Sequence, residues 1–374
     1  MSKRINNIWF LARCIIRALF YGKANKLPKN ISRIIVVPAG KLGDIVCATP
    51  VLVALRRYFP NAHIIVAGEN YNLLKPLLAD SDLVDEYYLN NVKADVALLT
   101  GPSFESTAPL YLAGIPMIVA PEVLGGISPQ NTRPYMLLKK FIKTYSYHIG
   151  KYAPRERLRC LEPLGVVTDD TTKRLGFSES ASKKVDQFFT THGINFSSDF
   201  FVGITPTAGH KIKEWPEERF AKVADYLITK YHAKVIIVGG PKDGQKVNNV
   251  VSLMGSQKEV VITTDFNIDE LKAFVSKLDM FISVDTGPIY IAEAFGIPTI
   301  DITGPIDENE QPPRGEMHRN VVPPKRSRPE LYVLNAKSYD KAEALRQTLS
   351  ITSEMVEKEI DILIVDLKKN ESSH

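Results

Sequence analysis

The sequence predicts an α/β protein of two domains, each an open parallel sheet covered by helices on both faces. Three observations carry that expectation. A length of 374 residues exceeds what one hydrophobic core ordinarily organises and suggests two domains of about 150–200 residues each. Short β-branched runs alternate with helical patterns, the signature of parallel strands joined by crossover helices. The alternation also stalls once and restarts, which points to two sheets rather than one large one.

In chain order, residues 33–38 (RIIVVP) read as a first strand, followed by a glycine-containing turn and a helical pattern over 45–58. Further strands are expected at 63–67, 84–89, 94–99 and 117–120. From 122 to 151 glycine, proline and aromatic residues mix, and no element can be assigned. A helix near 155–164 and a second over 179–192 lead to a new strand at 200–205 (FFVGIT). Alternation then resumes, with strands at 234–238, 259–262, 280–284 and 299–302 between helices at 217–231, from 243, at 268–277 and at 290–295. Beyond Pro305 the chain is proline-rich and basic, and a last helix follows Thr352, a plausible N-cap with Glu354 in its first turn. The domain boundaries expected from this pattern are 1–30, 31–178, 179–350 and 351–374. Two open sheets in one chain place the expected site in a cleft between the C-terminal ends of their strands.

Composition narrows the class. Hydrophobic residues at 44% and charged ones at 24% exclude a disordered or collagen-like chain and argue against a multi-span membrane protein. Cys14, Cys47 and Cys160 form no CxxC, so neither a disulfide framework nor a cysteine zinc site is expected, and the usage fits a reducing cytoplasm. The net charge of +5 is local. Residues 1–30 hold Lys3, Arg4, Arg13, Arg17, Lys23, Lys26 and Lys29 and no acid. Removing these seven from 47 basic residues leaves 40 against 42 acids, a body of net charge −2. A nucleic-acid partner would ordinarily require a basic face on the folded body, so none is expected.

Residues 8–21 read IWFLARCIIRALFY, apolar except for two arginines. The run is short of the ~20 residues that span a bilayer, and its arginines spoil a signal-peptide core. On a helical projection Asn6, Arg13 and Arg17 share one side while Trp9, Leu11, Ile15, Ile16 and Leu19 spread over the rest. That arrangement suits a helix in the headgroup region of an anionic membrane. The alternative is a helix docked on the protein's own surface with its cations solvated.

Three strand-to-helix turns carry the expected chemistry. In PAGKLGDI, Gly40 and Gly43 permit a tight turn at a helix N-terminus, Lys41 adds a cation, and Asp44 either caps the helix or faces the cleft as a base. The spacing is neither GxGxxG nor a P-loop. In TPTAGHKIKEWP, Thr205 and Thr207 offer hydroxyls and Lys213 a cation just before a helix, a mixture that phosphate oxygens need. In SVDTGPIY, an apolar strand ends on Asp285, Thr286 and Gly287, whose N–H groups would point at an anion. Plain helix capping is the alternative. Asp243, after Gly239 and Gly240, could accept from ribose hydroxyls or simply shape a turn. The Asp80-Ser81-Asp82 triplet has a metal-binding form, but the turn it sits in is a common one, and the seven histidines lack metal-ligand spacing, so no metal is expected. No GxSxG elbow occurs. A phosphorylated ligand, a nucleotide by preference, fits the three turns together.

With these turns in order, the chain resembles glycosyltransferase family 9, whose best-known members are lipopolysaccharide heptosyltransferases. The matching stretches are KLGDIVCATPVLVALRRYFPNAHI (41–64), KEWPEERFAKVADYL (213–227), VIIVGGPKD (235–243) and SVDTGPIYIAEAFGIPTIDITGP (283–305). The resemblance implies a GT-B fold, two Rossmann-like domains facing each other across a cleft. The acceptor would bind mainly to the first domain and the sugar nucleotide to the second. It implies inverting transfer of a sugar, heptose from ADP-heptose above others, to a lipopolysaccharide core or related glycolipid, without an obligate metal or other cofactor. Asp44 matches the catalytic base and Lys213 the lysine that neutralises the donor diphosphate. Asp285, Thr286 and Gly287 match the donor-binding turn, and Gly40 and Lys41 lie where small or basic residues approach the phosphates. Tyr290 stands where many members have histidine, and a phenol is not a cation near neutral pH. Residues 121–150 match no motif and are expected to hold acceptor specificity. A family 9 enzyme using another nucleotide sugar, an epimerase or hydrolase on the same scaffold, and a non-catalytic nucleotide binder are the alternative readings. A lipid-linked acceptor would place the protein in the cytoplasm at the inner face of the cytoplasmic membrane, its basic N-terminus against anionic lipid.

Overall fold

The computed structural model describes residues 3–68, 70–88, 93–194, 199–334 and 339–371. It divides into two compact units, Met1–Arg174 with Tyr332–Lys337, and Leu175–Leu331 with Ser338–His374. The separate terminal segments expected at 1–30 and 351–374 are therefore parts of the two units, and the division between them falls at 174–175.

The first unit is a parallel sheet of β1 (Arg33–Val37), β2 (His63–Ala67), β3 (Glu86–Tyr88), β4 (Val96–Leu99), β5 (Met117–Leu124) and β6 (Lys143–His148), in the order β3-β2-β1-β4-β5-β6. β1 lies at its centre, with Ile34 in register with both Ile64 and Val96. The second unit repeats the plan with β7 (Phe201–Thr205), β8 (Lys234–Val238), β9 (Val260–Thr263), β10 (Met280–Val284), β11 (Thr299–Ile302) and β12 (His318–Val321). Their order is β12-β11-β10-β7-β8-β9. Both sheets thus reverse direction between their first and fourth strands, the Rossmann topology, and the strand ends at that reversal are where open α/β sheets hold ligands. Two such domains in one chain are the GT-B class that the sequence predicts.

The central strands read as continuous apolar runs because helices cover both faces. Ile35, Val37, Ile65, Ala97 and Leu99 form one buried cluster with Phe104, Tyr111 and Ile118. In the second unit Val202, Ile204, Val235, Ile237, Ile282 and Val284 pack with Phe220, Leu227 and Trp215. Two strands escaped the sequence reading, both at sheet edges. β6 (KTYSYH) alternates polar and apolar, burying Tyr145 and Tyr147 alone, and β12 is four residues inside the basic, proline-rich stretch.

The terminal helices close these cores. Helix Lys3–Tyr21 lies on helices Phe104–Leu112 and Arg133–Leu138, burying Cys14 fully with Phe10, Leu11 and Ala18 against the first core. The following residues are stitched down: Tyr111 Oη donates to the Gly22 carbonyl at 2.7 Å, and Ala24 bridges Ile142. So the N-terminal helix does dock on its own domain, as the second sequence alternative proposed. Burial pushes the Cys14 thiol up to about 11, despite Arg13 and Arg17 nearby, which leaves it an inert packing group. At the other end, helix Ser353–Glu371 buries Val356, Ile360, Leu363 and Ile364 in the second core, and Trp215 Nε1 donates to the Ile351 carbonyl at 2.9 Å. No described helix is long and apolar enough to cross a membrane.

Candidate functional site

In the first unit the site residues gather at the C-terminal end of β1. The chain leaves the strand through Pro38 and Ala39, whose N–H donates to Thr100 Oγ1 at the neighbouring end of β4, and enters the short helix Leu42–Val46. Gly40 takes φ +91°, and a Cβ there would collide with the Asp44 carboxylate. The glycine is what lets that carboxylate fold back over the turn. Asp44 Oδ2 accepts the Lys41 N–H at 3.0 Å, so the capping reading holds for one oxygen. The other oxygen, Oδ1, accepts from Arg157 Nη2 at 2.9 Å. Gly40 and Lys41 are exposed, whereas Gly43 is buried under the turn.

Arg157 was not singled out in the sequence. It sits on helix Ala153–Leu158, directly after the overlooked β6, with its side chain 3% exposed against 24% for Asp44. Burial works against the guanidinium charge, yet Tyr147 and then Asp44 hold its pKa above the ordinary arginine value. A buried, charged arginine aims one carboxylate, while that carboxylate still meets solvent. Such a group can accept a proton from a hydroxyl placed against it. Next to Arg157, Glu156 accepts from both the backbone N–H and Nδ1 of His148, tying this helix to β6.

In the second unit the corresponding strand ends carry the remaining predicted residues. Lys213, in the turn Lys211–Lys213, pairs its Nζ with Asp285 Oδ2 at 2.6 Å. Tyr290 Oη donates a short hydrogen bond to the other Asp285 oxygen and is 2% exposed. Its phenol therefore supports Asp285 from below rather than lining an open surface. Thr286 is the N-cap residue of helix Gly287–Ala294 without a side-chain capping bond. It and Gly287 stay half-exposed, with the helix N-terminus behind them. Asp243 folds back to accept from the Gly240 N–H at 2.8 Å and the Thr207 hydroxyl at 3.0 Å, so Thr207 and Asp243 form one feature. Thr205 is buried at the end of β7, and its hydroxyl has no partner.

One further group lies under this turn. Asp301, on β11, is fully buried, and neither carboxyl oxygen has a hydrogen-bond partner. Burial first, then Asp285 and Glu293, push its pKa well above 3.8 while Lys213 pulls the other way. Asp301 is therefore a buried acid whose burial favours its protonated form, set beside the Asp285–Lys213 pair. Away from these turns, Asp80 and Asp82 both adopt left-handed backbone, φ 61° and 53°, around Ser81, and Asp82 lies 4.0 Å from Arg174. The triplet is a turn on the first unit.

The family 9 model, glycosyltransferase family 9 (heptosyltransferase), matches residues 90–337, more than half of the chain. The chain belongs to glycosyltransferase family 9. It is a glycosyltransferase, and its similarity to curated family members extends beyond the matched core. It is 23% identical to lipopolysaccharide heptosyltransferase 3 of Escherichia coli K12 over 281 residues, 71% of this chain and 80% of that one. The fold of this family 9 transferase superposes on E. coli ADP-heptose LPS heptosyltransferase II with a TM-score of 0.67 at 16% identity, covering 90% and 99% of the two chains. E. coli heptosyltransferase WaaC with ADP gives a TM-score of 0.63 at 14% identity, covering 88% and 99%. The transferase shares its fold with both.

Proposed function

We propose that this glycosyltransferase moves heptose from ADP-heptose, with inversion at the anomeric carbon, to a lipopolysaccharide core or related glycolipid acceptor. The observation that carries the reading is the turn after β10. There a lysine is presented by a carboxylate that a buried tyrosine steadies, beside the half-exposed N–H groups of Thr286 and Gly287. That combination of one positioned cation and helix N-terminal donors suits a diphosphate. Relatives whose names contain ADP-heptose, and one solved with ADP, support adenine as the base.

The chemistry follows from the two sets of residues. Asp44 takes the proton of the acceptor hydroxyl as its oxygen attacks the anomeric carbon. The bond from that carbon to the diphosphate oxygen breaks, and the electron pair leaves with ADP. Lys213 neutralises the charge that develops there, with the N–H groups of Thr286 and Gly287. On this reading Gly40, Lys41 and Gly43 approach the donor phosphates, Thr205 and Thr207 belong to the same phosphate-binding set, and Asp243 accepts from the ribose hydroxyls. We assign charge neutralisation to these groups and not to a metal ion. The enzyme would work in the cytoplasm at the inner face of the membrane that holds its lipid-linked acceptor, drawn there by the cations of residues 1–30.

A second reading keeps the reaction and changes the nucleotide, because Tyr290 brings no positive charge where many relatives have histidine. Thermal-shift titration with ADP, UDP, GDP and CMP separates the two. A ligand at a hundred times its dissociation constant stabilises by about 2.7 kcal/mol. Selective stabilisation by ADP is expected. Selective stabilisation by UDP or GDP would replace the donor, and no shift with any of them would remove the nucleotide-sugar reading. Nuclear magnetic resonance of the product's anomeric proton then reports inversion or retention.

A further inference from the structure

Docking helix Lys3–Tyr21 on its own domain leaves its opposite face outward, and that face contains no polar side chain. At about 100° per residue, Ile15, Ile8, Leu19, Ala12, Ile16, Trp9 and Phe20 follow one another around an arc of about 140°. All seven are exposed, the six large ones between 41% and 80%. Soluble surfaces scatter such residues singly; a contiguous patch on one helix marks a contact. The patch lies outside the span matched by the family model.

The edge of the patch is cationic. Arg13 stacks over Trp9 at 4.5 Å, and Arg17 lies over Tyr111 at 4.6 Å and Tyr21 at 5.6 Å. Beside them opens a hollow of about 570 Å³ lined by Arg13, Ile16, Arg17, Phe20, Tyr21 and Leu112. A phosphate-sized anion has two guanidinium groups to meet there, beside aromatic rings of the kind that settle at the headgroup level.

We infer that this helix lies flat in the interface of an anionic bilayer, its apolar arc among the acyl chains and a lipid phosphate seated between Arg13 and Arg17. This rests on the membrane reading above and alters its physics. Cations attract the chain, but the apolar face holds it. Charge decides against the rival occupant, a second copy of this chain. Residues 1–30 carry seven cations and no acid, so pairing two of these faces brings like charges together, whereas anionic lipid complements them.

The chain supplies its own probe, because its two tryptophans differ: Trp9 is 53% exposed and Trp215 is 1% exposed in the second core. The full-length protein is mixed with vesicles of equal parts phosphatidylglycerol and phosphatidylcholine. Its tryptophan emission is expected to shift to the blue and to be quenched by brominated acyl chains. Trp9→Phe should abolish both signals while co-sedimentation persists. Ile16→Glu with Leu19→Glu should weaken co-sedimentation at least about tenfold with no change in the melting temperature, since neither side chain touches the core. Arg13→Ala with Arg17→Ala should weaken it about thirtyfold on anionic vesicles and not at all on phosphatidylcholine. Should Arg17→Ala loosen the stack on Tyr111, the Ile16 and Leu19 variant still carries the test. Co-sedimentation without quenching would overturn insertion and leave the charge-driven membrane reading standing. No co-sedimentation would overturn both. A dimer in analytical ultracentrifugation that Ile16→Glu dissolves would assign the face to a second copy and overturn the inference.

Discussion

Asp44 and Asp301 show how differently two carboxyls behave in one protein. Asp44 is held from both sides, by the Lys41 N–H and by Arg157, and keeps partial contact with solvent. Asp44→Asn preserves the shape and removes the base, so kcat is expected to fall by about 10²–10⁴. Thermal-shift stabilisation by ADP should survive, because Lys213, Thr286 and Gly287, the groups assigned to neutralising the diphosphate, belong to the second unit. A melting temperature lowered by the loss of Arg157's counter-charge, with kcat unchanged, would return Asp44 to a capping role. Asp301 holds its proton in the folded state at pH values where the unfolded chain, with an ordinary 3.8, has released it. Stability is then highest below that pH and falls as pH rises from about 4 towards the raised folded value. Asp301→Asn removes the titration. Urea midpoints should show the variant more stable than wild type near neutral pH, with the gap closing towards pH 4. A gap independent of pH would mean that Asp301 is ionised in the fold.

At the scale of elements, the turn after β1 works because one glycine yields space to one carboxylate. Gly40→Ala places a Cβ on Asp44 in left-handed backbone, which costs about 1–2 kcal/mol in strain and displaces the carboxylate. Activity should fall by about a hundredfold, measured beside a modest drop in melting temperature. Unaltered kcat would show that the position of Asp44 does not matter. The C-terminal helix is a wall of the second core and not a tail. Ile360→Ala should therefore destabilise by about 2–5 kcal/mol in urea unfolding. The N-terminal helix is likewise part of its domain through Cys14 and Ala24, so deleting residues 1–28 would uncover the first core. Point changes on its outward arc are the cleaner test of what it meets.

At the scale of the whole molecule, two sheets of the same Rossmann order stand in one chain, the Asp44 turn on the first and the Lys213–Asp285 turn on the second, and the proposed function gives the proton transfer to the one and the diphosphate to the other. Lys213→Ala should weaken the ADP thermal shift by about the contribution of one charge-assisted contact, 1.5–3 kcal/mol, without affecting the Asp44–Arg157 pair. Equal stabilisation of wild type and variant by ADP would remove Lys213 from the donor site. The fold and the three strand-to-helix turns were legible in the sequence because their signals are local. A β-branched run, a glycine, a hydroxyl and an acid stand within a few residues of each other, as in SVDTGPIY. Edge strands β6 and β12 were not legible, because a short strand covered on one side carries a weak and mixed pattern.

The sequence by itself determined the α/β class, the doubling of the domain and the position of each turn, since these follow from periodicity and from residues adjacent in the chain, and it carried the family through a resemblance of its motifs. Only the tertiary structure decided what stands across from them. Arg157 reaches Asp44 over 113 positions and Asp285 meets Lys213 over 72, and neither partner carries a mark of the pairing in its own neighbourhood. The same holds for the first helix. Its composition promised cations and apolar surface, but which arc faces outward was set by Cys14, Phe10 and Leu11 packing on the first core. Burial is a property of the assembled chain, and it alone turned a mixed helix into one with two apolar faces, one of them left exposed.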